Sequence, residues 1–155
     1  RLKKGDREWL SLDFVIGMYR RYLDDFGPVW GKVLTLASAD INRPLVFHCT
    51  GGKDRTGICA ALLLLLLGVD EDTILVDHEL STLYNADRVQ PLFDKLASLG
   101  IDREMAAPYL QAPVEPLAAL LDYLKDRYGT VEDYLLTQAQ MQRPTLSRLR
   151  NILLR

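Results

Sequence analysis

The chain has 155 residues, of which 48% are apolar and 26% charged, and its formal net charge is −2. These values are typical of one globular domain with a substantial core. The small negative charge excludes a general attraction to nucleic acid or to anionic membranes, so any recognition of an anion must be local. The longest apolar run, Ile58 to Val69, is about half the roughly 20 residues of a membrane span, and therefore predicts a core helix and no membrane span.

Apolar residues at helical spacing dominate the chain. Gly27-Pro28, Gly68, Gly100 and Gly129 interrupt the pattern and divide it into separate helices. Acidic residues in a first turn and a capping box at Thr130 mark further helix starts. The predicted helices cover residues 12–26, 29–40, 56–67, 70–83, 89–99, 105–110 and 114–128, a short helix that opens at Thr130, and a last helix over 146–153.

A single convincing strand is predicted, at Leu45–His48. Its apolar residues are consecutive, a pattern typical of burial on both faces in a largely parallel sheet. No other stretch pairs with it convincingly. Either short strands are hidden at the termini, or the rest of the sheet lies outside this chain. The expected fold class is therefore α/β, a central, mostly parallel sheet flanked by helices, with the present chain mostly helical and part of the sheet missing.

The sequence between this strand and the next helix reads His-Cys-Thr-Gly-Gly-Lys-Asp-Arg-Thr-Gly over residues 48–57. A glycine-rich turn that opens a helix points several backbone N–H groups at one place, and the positive end of the helix adds to the attraction for an anion. Gly51 and Gly52 permit positive φ and a close approach of the backbone to an oxyanion. The pattern predicts a phosphate site formed by Thr50, Gly51, Gly52, Lys53, Asp54 and Arg55.

The same electrostatic field acts on Cys49. A cysteine at a helix N-terminus beside basic residues ionises more readily than a free one, and a thiolate below a bound phosphate is placed for in-line attack on phosphorus. Arg55 and the loop amides would stabilise the charge on the equatorial oxygens. The alternative for Cys49 is a buried structural thiol. Cys59 fits core packing, with a role as a resolving thiol as the alternative.

Residues 48–57 resemble the H-C-x5-R-[S/T]-G signature of cysteine-dependent protein tyrosine phosphatases. Their G-K-D-R-T-G form is similar to that of the tyrosine/serine phosphatases that include secreted mycobacterial and fungal members. Residues 74–81 and 128–135 resemble further stretches of that family, although His78 stands where the family usually has tyrosine. The resemblance implies the phosphatase α/β fold, no metal and no other cofactor, and strands before the loop. We therefore expect one phosphatase domain over residues 1–155 that lacks its N-terminal strands.

The residue that would protonate the leaving group is less clearly defined than the nucleophile. The W-P-D motif that carries this acid in many tyrosine phosphatases does not occur in the sequence. We favour Asp54, although the charges of Lys53 and Arg55 oppose its protonation. Asp13 is an alternative, and a residue outside this chain is another. His48 and Thr56 are expected to support the loop, His48 by bonding nearby backbone and Thr56 by donating to the thiolate.

The expected function is hydrolysis of phosphotyrosine in proteins, with dual specificity as a variant, through a phosphocysteine intermediate on Cys49. Lys53 motivates a phosphoinositide phosphatase as the alternative, since a G-K-x-R loop is also similar to that of lipid phosphatases related to the tensin homologue. A catalytically silent phosphate-binding module is the third hypothesis. The expected partners are a phosphorylated protein or a phosphoinositide, and a remaining N-terminal segment of the same protein. A reactive thiol favours a reducing, cytoplasmic compartment, with secretion as an effector as the alternative.

Overall fold

A computed structural model describes residues 7–154 of the chain. Nine α-helices form within these residues, and short 3-10 turns lie at Glu8–Leu10 and Asp40–Asn42. The helices are α1 (Leu12–Asp25), α2 (Gly27–Ala37), α3 (Asp54–Leu66), α4 (Glu71–Tyr84), α5 (Ala86–Ala97), α6 (Arg103–Leu110), α7 (Val114–Tyr128), α8 (Val131–Thr137) and α9 (Arg143–Leu153).

Helix α3 lies in the larger of two hydrophobic cores. Its buried residues include Ile58 and Leu62, and they pack with buried side chains of α1, α2, α4, α7, α8 and α9. The core helix predicted from the apolar run is confirmed, because α3 is surrounded by other helices. Across residues 7–154, no helix combines the length and the apolar character needed to cross a bilayer.

Helices α1 and α7 pack side by side through polar as well as apolar contacts. The Asp24 carboxylate of α1 accepts hydrogen bonds from the hydroxyls of Tyr123, at 2.8 Å, and Tyr128, at 2.7 Å. The buried Tyr134 of α8 donates to the Leu23 carbonyl oxygen at 2.7 Å. A smaller core joins α5 and α6 to the turn at Glu8–Leu10.

Four of the described helices, α1, α4, α6 and α8, begin after a residue whose side chain accepts a free N–H group of the first turn. Asp70 Oδ1 accepts from the Thr73 N–H at 2.8 Å, and Thr130 Oγ1 accepts from the Asp133 N–H at 3.0 Å. The predicted helices are confirmed, but α2, α3, α5, α6 and α9 start two or three residues earlier than predicted, and α2 ends at Ala37 rather than at Asp40. Most of the predicted starts followed the first apolar residue of a pattern, whereas a first helical turn also includes residues outside that pattern, such as Arg103 and Arg143.

The predicted central, mostly parallel sheet is wrong for the part of the chain that the structure describes. No β-strand forms among residues 7–154, and the predicted strand Leu45–His48 runs without regular secondary structure. Val46 is 84% exposed and Leu45 is 40% exposed, which contradicts burial on both faces. A strand requires a hydrogen-bonded neighbour, and the described segments on either side of Leu45–His48 supply only helices and turns.

Candidate active site

The glycine-rich loop curls around the first turn of α3. Gly52 has a φ of +68°, a conformation that glycine adopts at little cost, and Lys53 immediately precedes the helix. The backbone N–H groups of Lys53, Asp54 and Arg55 have no hydrogen-bond acceptor within residues 7–154. These donors and the positive end of α3 form a site that can bind an anion.

Cys49 lies under this turn with its sulfur surrounded by donors. Its N–H donates to Thr56 Oγ1 at 3.0 Å. Partial burial opposes ionisation of the thiol, but hydrogen bonds from the hydroxyl and N–H of Thr56 and from the N–H groups of Gly51 and Gly52 outweigh it. Together they lower the pKa of Cys49 from its ordinary value of 9.0 to about 7. A large fraction of the thiol is therefore thiolate at neutral pH.

Arg55 extends from α3 as an exposed cation. Its Nη2 lies 3.5 Å from Thr50 Oγ1, and no carboxylate in residues 7–154 forms an ion pair with it. Arg88 of α5 donates from Nη2 to the Thr50 carbonyl oxygen at 2.8 Å and so fixes the start of the loop. The Arg55 guanidinium is therefore available to a bound oxyanion.

Asp54 is held by donors from two directions. Lys53 Nζ lies 2.8 Å from Asp54 Oδ1, and the Tyr19 hydroxyl of α1 donates to the same oxygen at 3.0 Å. The Lys53 side chain is only 12% exposed. The ammonium that motivated a second phosphate site thus serves Asp54 inside the loop.

His78 of α4 lies beneath the loop and is 3% exposed. Its Nε2 is 3.4 Å from the Tyr19 hydroxyl, whereas Nδ1 has no hydrogen-bond partner in the described chain and lies against Gly57. A Cβ at Gly57 would collide with the imidazole ring. Burial lowers the pKa of His78 to about 4, so the ring is neutral at neutral pH.

Two cavities meet at the loop. The larger, about 620 Å³, has apolar and aromatic walls and contacts the thiol and the guanidinium; its lining includes Tyr22, Phe26, Trp30, Phe47, Cys49, Arg55 and Thr56. The smaller, about 260 Å³, is lined by Tyr22, Thr50, Gly51, Lys53, Asp54, Arg55, Arg88 and Tyr109 among others. Arg55 and Tyr22 line both. Arg55 therefore borders both the cavity that contacts Cys49 and the cavity that contacts Asp54.

The structure brings the predicted site residues 49–56 together around the start of α3. His48 is exposed, and its Nδ1 lies 3.1 Å from the Cys49 carbonyl oxygen, a contact with nearby backbone of the kind expected. Asp13 is exposed in the first turn of α1 and lines neither cavity. Within residues 7–154, no group of three or more His, Cys, Asp or Glu side chains could hold a metal ion.

Sequence reasoning missed the part played by Tyr19. The residue falls on the apolar face of α1, where its ring is indistinguishable from core packing. The hydroxyl is the feature that could have indicated this role, since a buried tyrosine requires a polar partner. Here that partner is Asp54, 35 residues further along the chain.

The family model for the tyrosine phosphatase family matches residues 3–155. A tyrosine-protein phosphatase, so named provisionally, from Cupriavidus necator is 37% identical over 64% of this chain and 37% of its own length. The triple specificity protein phosphatase of Mycobacterium tuberculosis is 32% identical over 79% of this chain and 48% of its own length. A tyrosine-protein phosphatase of Nostoc commune is 32% identical over 76% of this chain and 42% of its own length.

The chain belongs to the tyrosine phosphatase family, because the family model covers nearly all of it. The family predicted from the signature loop is therefore confirmed. The chain matches less than half the length of each of these three relatives.

Replacement of Thr56 by valine removes the hydroxyl that donates to Cys49. We expect Thr56→Val to raise the pKa of Cys49 from about 7 toward its ordinary value of 9.0 and so to lower the thiolate fraction at pH 7. The rate of iodoacetamide alkylation against pH, read for Cys49 by mass spectrometry, measures this. Thr35→Val, an exposed threonine on α2, should leave the profile unchanged. An unshifted profile in Thr56→Val would contradict the assignment.

Burial of a neutral His78 makes stability depend on pH. As the pH falls from 6.5 to about 4, the unfolded state binds a proton that the native state does not, so the free energy of unfolding decreases, by about 3 kcal/mol. We expect His78→Gln to remove this decrease in urea unfolding measured across that range. His48→Gln, which changes the exposed histidine, should keep the wild-type slope. Parallel slopes for wild type and His78→Gln would refute the expectation.

Proposed function

We propose that this chain forms part of a phosphatase that hydrolyses phosphotyrosine in proteins through a phosphocysteine intermediate on Cys49. The observation that carries the proposal is the loop geometry, in which Cys49 lies against the first turn of α3 and lines the same cavity as the exposed Arg55 guanidinium. The lowered pKa of Cys49 agrees with this arrangement. Residues 1–155 would belong to one phosphatase domain. Because Cys49 must stay reduced to react, we place the protein in a reducing, cytoplasmic compartment.

The reaction follows from the positions of the loop groups. The Cys49 thiolate attacks phosphorus as the bond from phosphorus to the substrate oxygen breaks. Arg55 and the free loop N–H groups stabilise the charge on the equatorial oxygens. Water then attacks phosphorus, the bond to sulfur breaks, and inorganic phosphate leaves with the thiolate restored.

Asp54 is the group we assign to proton transfer. It lies directly before Arg55 and lines the smaller cavity. It would protonate the departing oxygen in the first step and accept a proton from water in the second. Asp13 loses support as the donor because it is exposed at the start of α1 and lines neither cavity.

The surroundings of Cys49 fit an aromatic phosphate ester better than a phosphoinositide, which would place a second phosphate near Lys53. The larger cavity has aromatic walls, including Tyr22, Phe26 and Trp30, that can contact a phenyl ring. Lys53 is bound to Asp54 rather than free, which removes the main argument for a phosphoinositide. The triple specificity named for the mycobacterial relative supports testing phosphoserine and phosphothreonine peptides as well.

Loss of the nucleophile should abolish turnover. We expect wild-type protein to release a burst of 4-nitrophenol from 4-nitrophenyl phosphate, and Cys49→Ser to lose the burst and at least about a thousandfold in kcat. Stopped-flow absorbance measures both. Cys59→Ala, which removes the buried thiol of α3, should keep the burst. Absence of both the burst and steady-state release of 4-nitrophenol in wild type would indicate a silent phosphate-binding module instead.

Substrate choice separates the remaining alternatives. We expect kcat/KM for a phosphotyrosine peptide to exceed that for a soluble phosphoinositide at least about tenfold, because Lys53 is engaged within the loop. Phosphate release from both substrates under the same conditions measures the ratio. A preference for the phosphoinositide would overturn the assignment of substrate class.

A further inference from the structure

A chain of polar groups runs from α4 through α1 to the loop. His78 Nε2 lies 3.4 Å from the Tyr19 hydroxyl, and that hydroxyl lies 3.0 Å from Asp54 Oδ1. Tyr19 is 1% exposed and His78 is 3% exposed, so bulk water cannot replace these contacts. The cost of burying both polar groups is offset only while they bond to one another and to Asp54.

In this series of polar groups, each hydrogen bond is donated in the direction of Asp54. Burial, followed by the negative charge of Asp54, raises the pKa of Tyr19 far above its ordinary value, so the phenol keeps its proton and donates a hydrogen bond to the carboxylate. His78 Nδ1 faces Gly57 and has no partner in the described chain. We therefore assign the proton to Nε2, which can donate it in a hydrogen bond to the Tyr19 oxygen, whereas a proton on Nδ1 would be a buried donor without an acceptor among the described residues.

The two oxygens of Asp54 consequently differ. Oδ1 accepts from Tyr19 and from Lys53, whereas Oδ2 accepts no hydrogen bond from any group in residues 7–154. Oδ1 can keep both donors whether or not a proton is bound to Oδ2. The same arrangement thus serves a protonated and an ionised carboxyl group.

We propose that Tyr19 and, through it, His78 are positioning residues that hold Asp54 Oδ1 so that Oδ2 exchanges the proton with the substrate. This inference rests on the proposed function. In the first step the Oδ2 proton moves to the oxygen that leaves phosphorus, and Asp54 becomes a carboxylate. In the second step a proton of the attacking water returns to Oδ2 as the bond from phosphorus to sulfur breaks.

The charged groups around this chain of contacts come from three elements. Asp54 of α3, Lys53 of the loop and Asp77 of α4 act on His78, and Asp54 and the Cys49 thiolate of the loop act on Tyr19. Tyr19 and His78 stay uncharged through the neutral range, so their part is geometric. Their loss should misplace the Asp54 carboxyl group without removing a charge from the site.

Replacement of Tyr19 by phenylalanine removes one hydroxyl and keeps the ring. We expect kcat/KM for phenyl phosphate, whose leaving group needs a proton, to fall at least about tenfold, and kcat/KM for 4-nitrophenyl phosphate to change less than about threefold. The slope of log kcat/KM against the pKa of the leaving group, over a series of aryl phosphates, should become steeper. An equal loss across the series would overturn the proposal.

Tyr134→Phe is the matched control, since Tyr134 is also a buried tyrosine whose hydroxyl donates one hydrogen bond, here to the Leu23 carbonyl oxygen. It should leave the leaving-group slope at the wild-type value. In an Asp54→Asn background, Tyr19→Phe should cause no further change in slope, because the two residues act as a unit. Additive losses would show that Tyr19 acts independently of Asp54.

His78 provides a second test that does not depend on the stability of Tyr19→Phe. His78→Leu should steepen the slope, whereas His78→Gln, whose amide N–H can stand in for Nε2, should restore it. Equal slopes for the two variants would overturn the part assigned to His78. A wild-type protein that forms no phosphocysteine with 4-nitrophenyl phosphate refutes the proposed function itself, whereas an active wild type with unchanged slopes refutes only the positioning role.

Discussion

Convergence of donors on the Cys49 sulfur is the constraint on which the rest of the site depends. Those donors come from the loop and from the first turn of α3, so both must be fixed to within a hydrogen-bond length. Arg88 holds the loop from α5, and His78 lies against the first turn of α3 from α4. The hydrophobic core around α3 therefore has a chemical consequence, because it sets the position of the turn that makes the thiol acidic.

Local patterns were enough to predict the helices and the loop. The signals for α7 and for the Thr130 cap are read within a few residues, and the spacing from Cys49 to Arg55 specifies a turn whose donors come from its own backbone. Wherever a feature is made by residues close together in the chain, the sequence contains its physical cause.

Features made by distant residues were not predictable in the same way. The contact of Tyr19 with Asp54 joins residues 35 apart, and nothing around Tyr19 distinguishes it from an ordinary core aromatic. The predicted strand failed for a related reason. Leu45–His48 has the composition of a strand, but strand formation is a property of a pair, and no partner for it forms in the part of the chain described.

The hydrogen bonds to Cys49 also affect how long a covalent intermediate survives. A thiolate that is stabilised enough to form near pH 7 is, for the same reason, a better leaving group than an ordinary cysteine, because departure becomes faster as the pKa of the leaving thiol falls. In the proposed reaction, Thr56 would donate to the sulfur both before attack and as it departs. The lifetime of phosphocysteine would thus depend on the same hydroxyl that prepares the nucleophile.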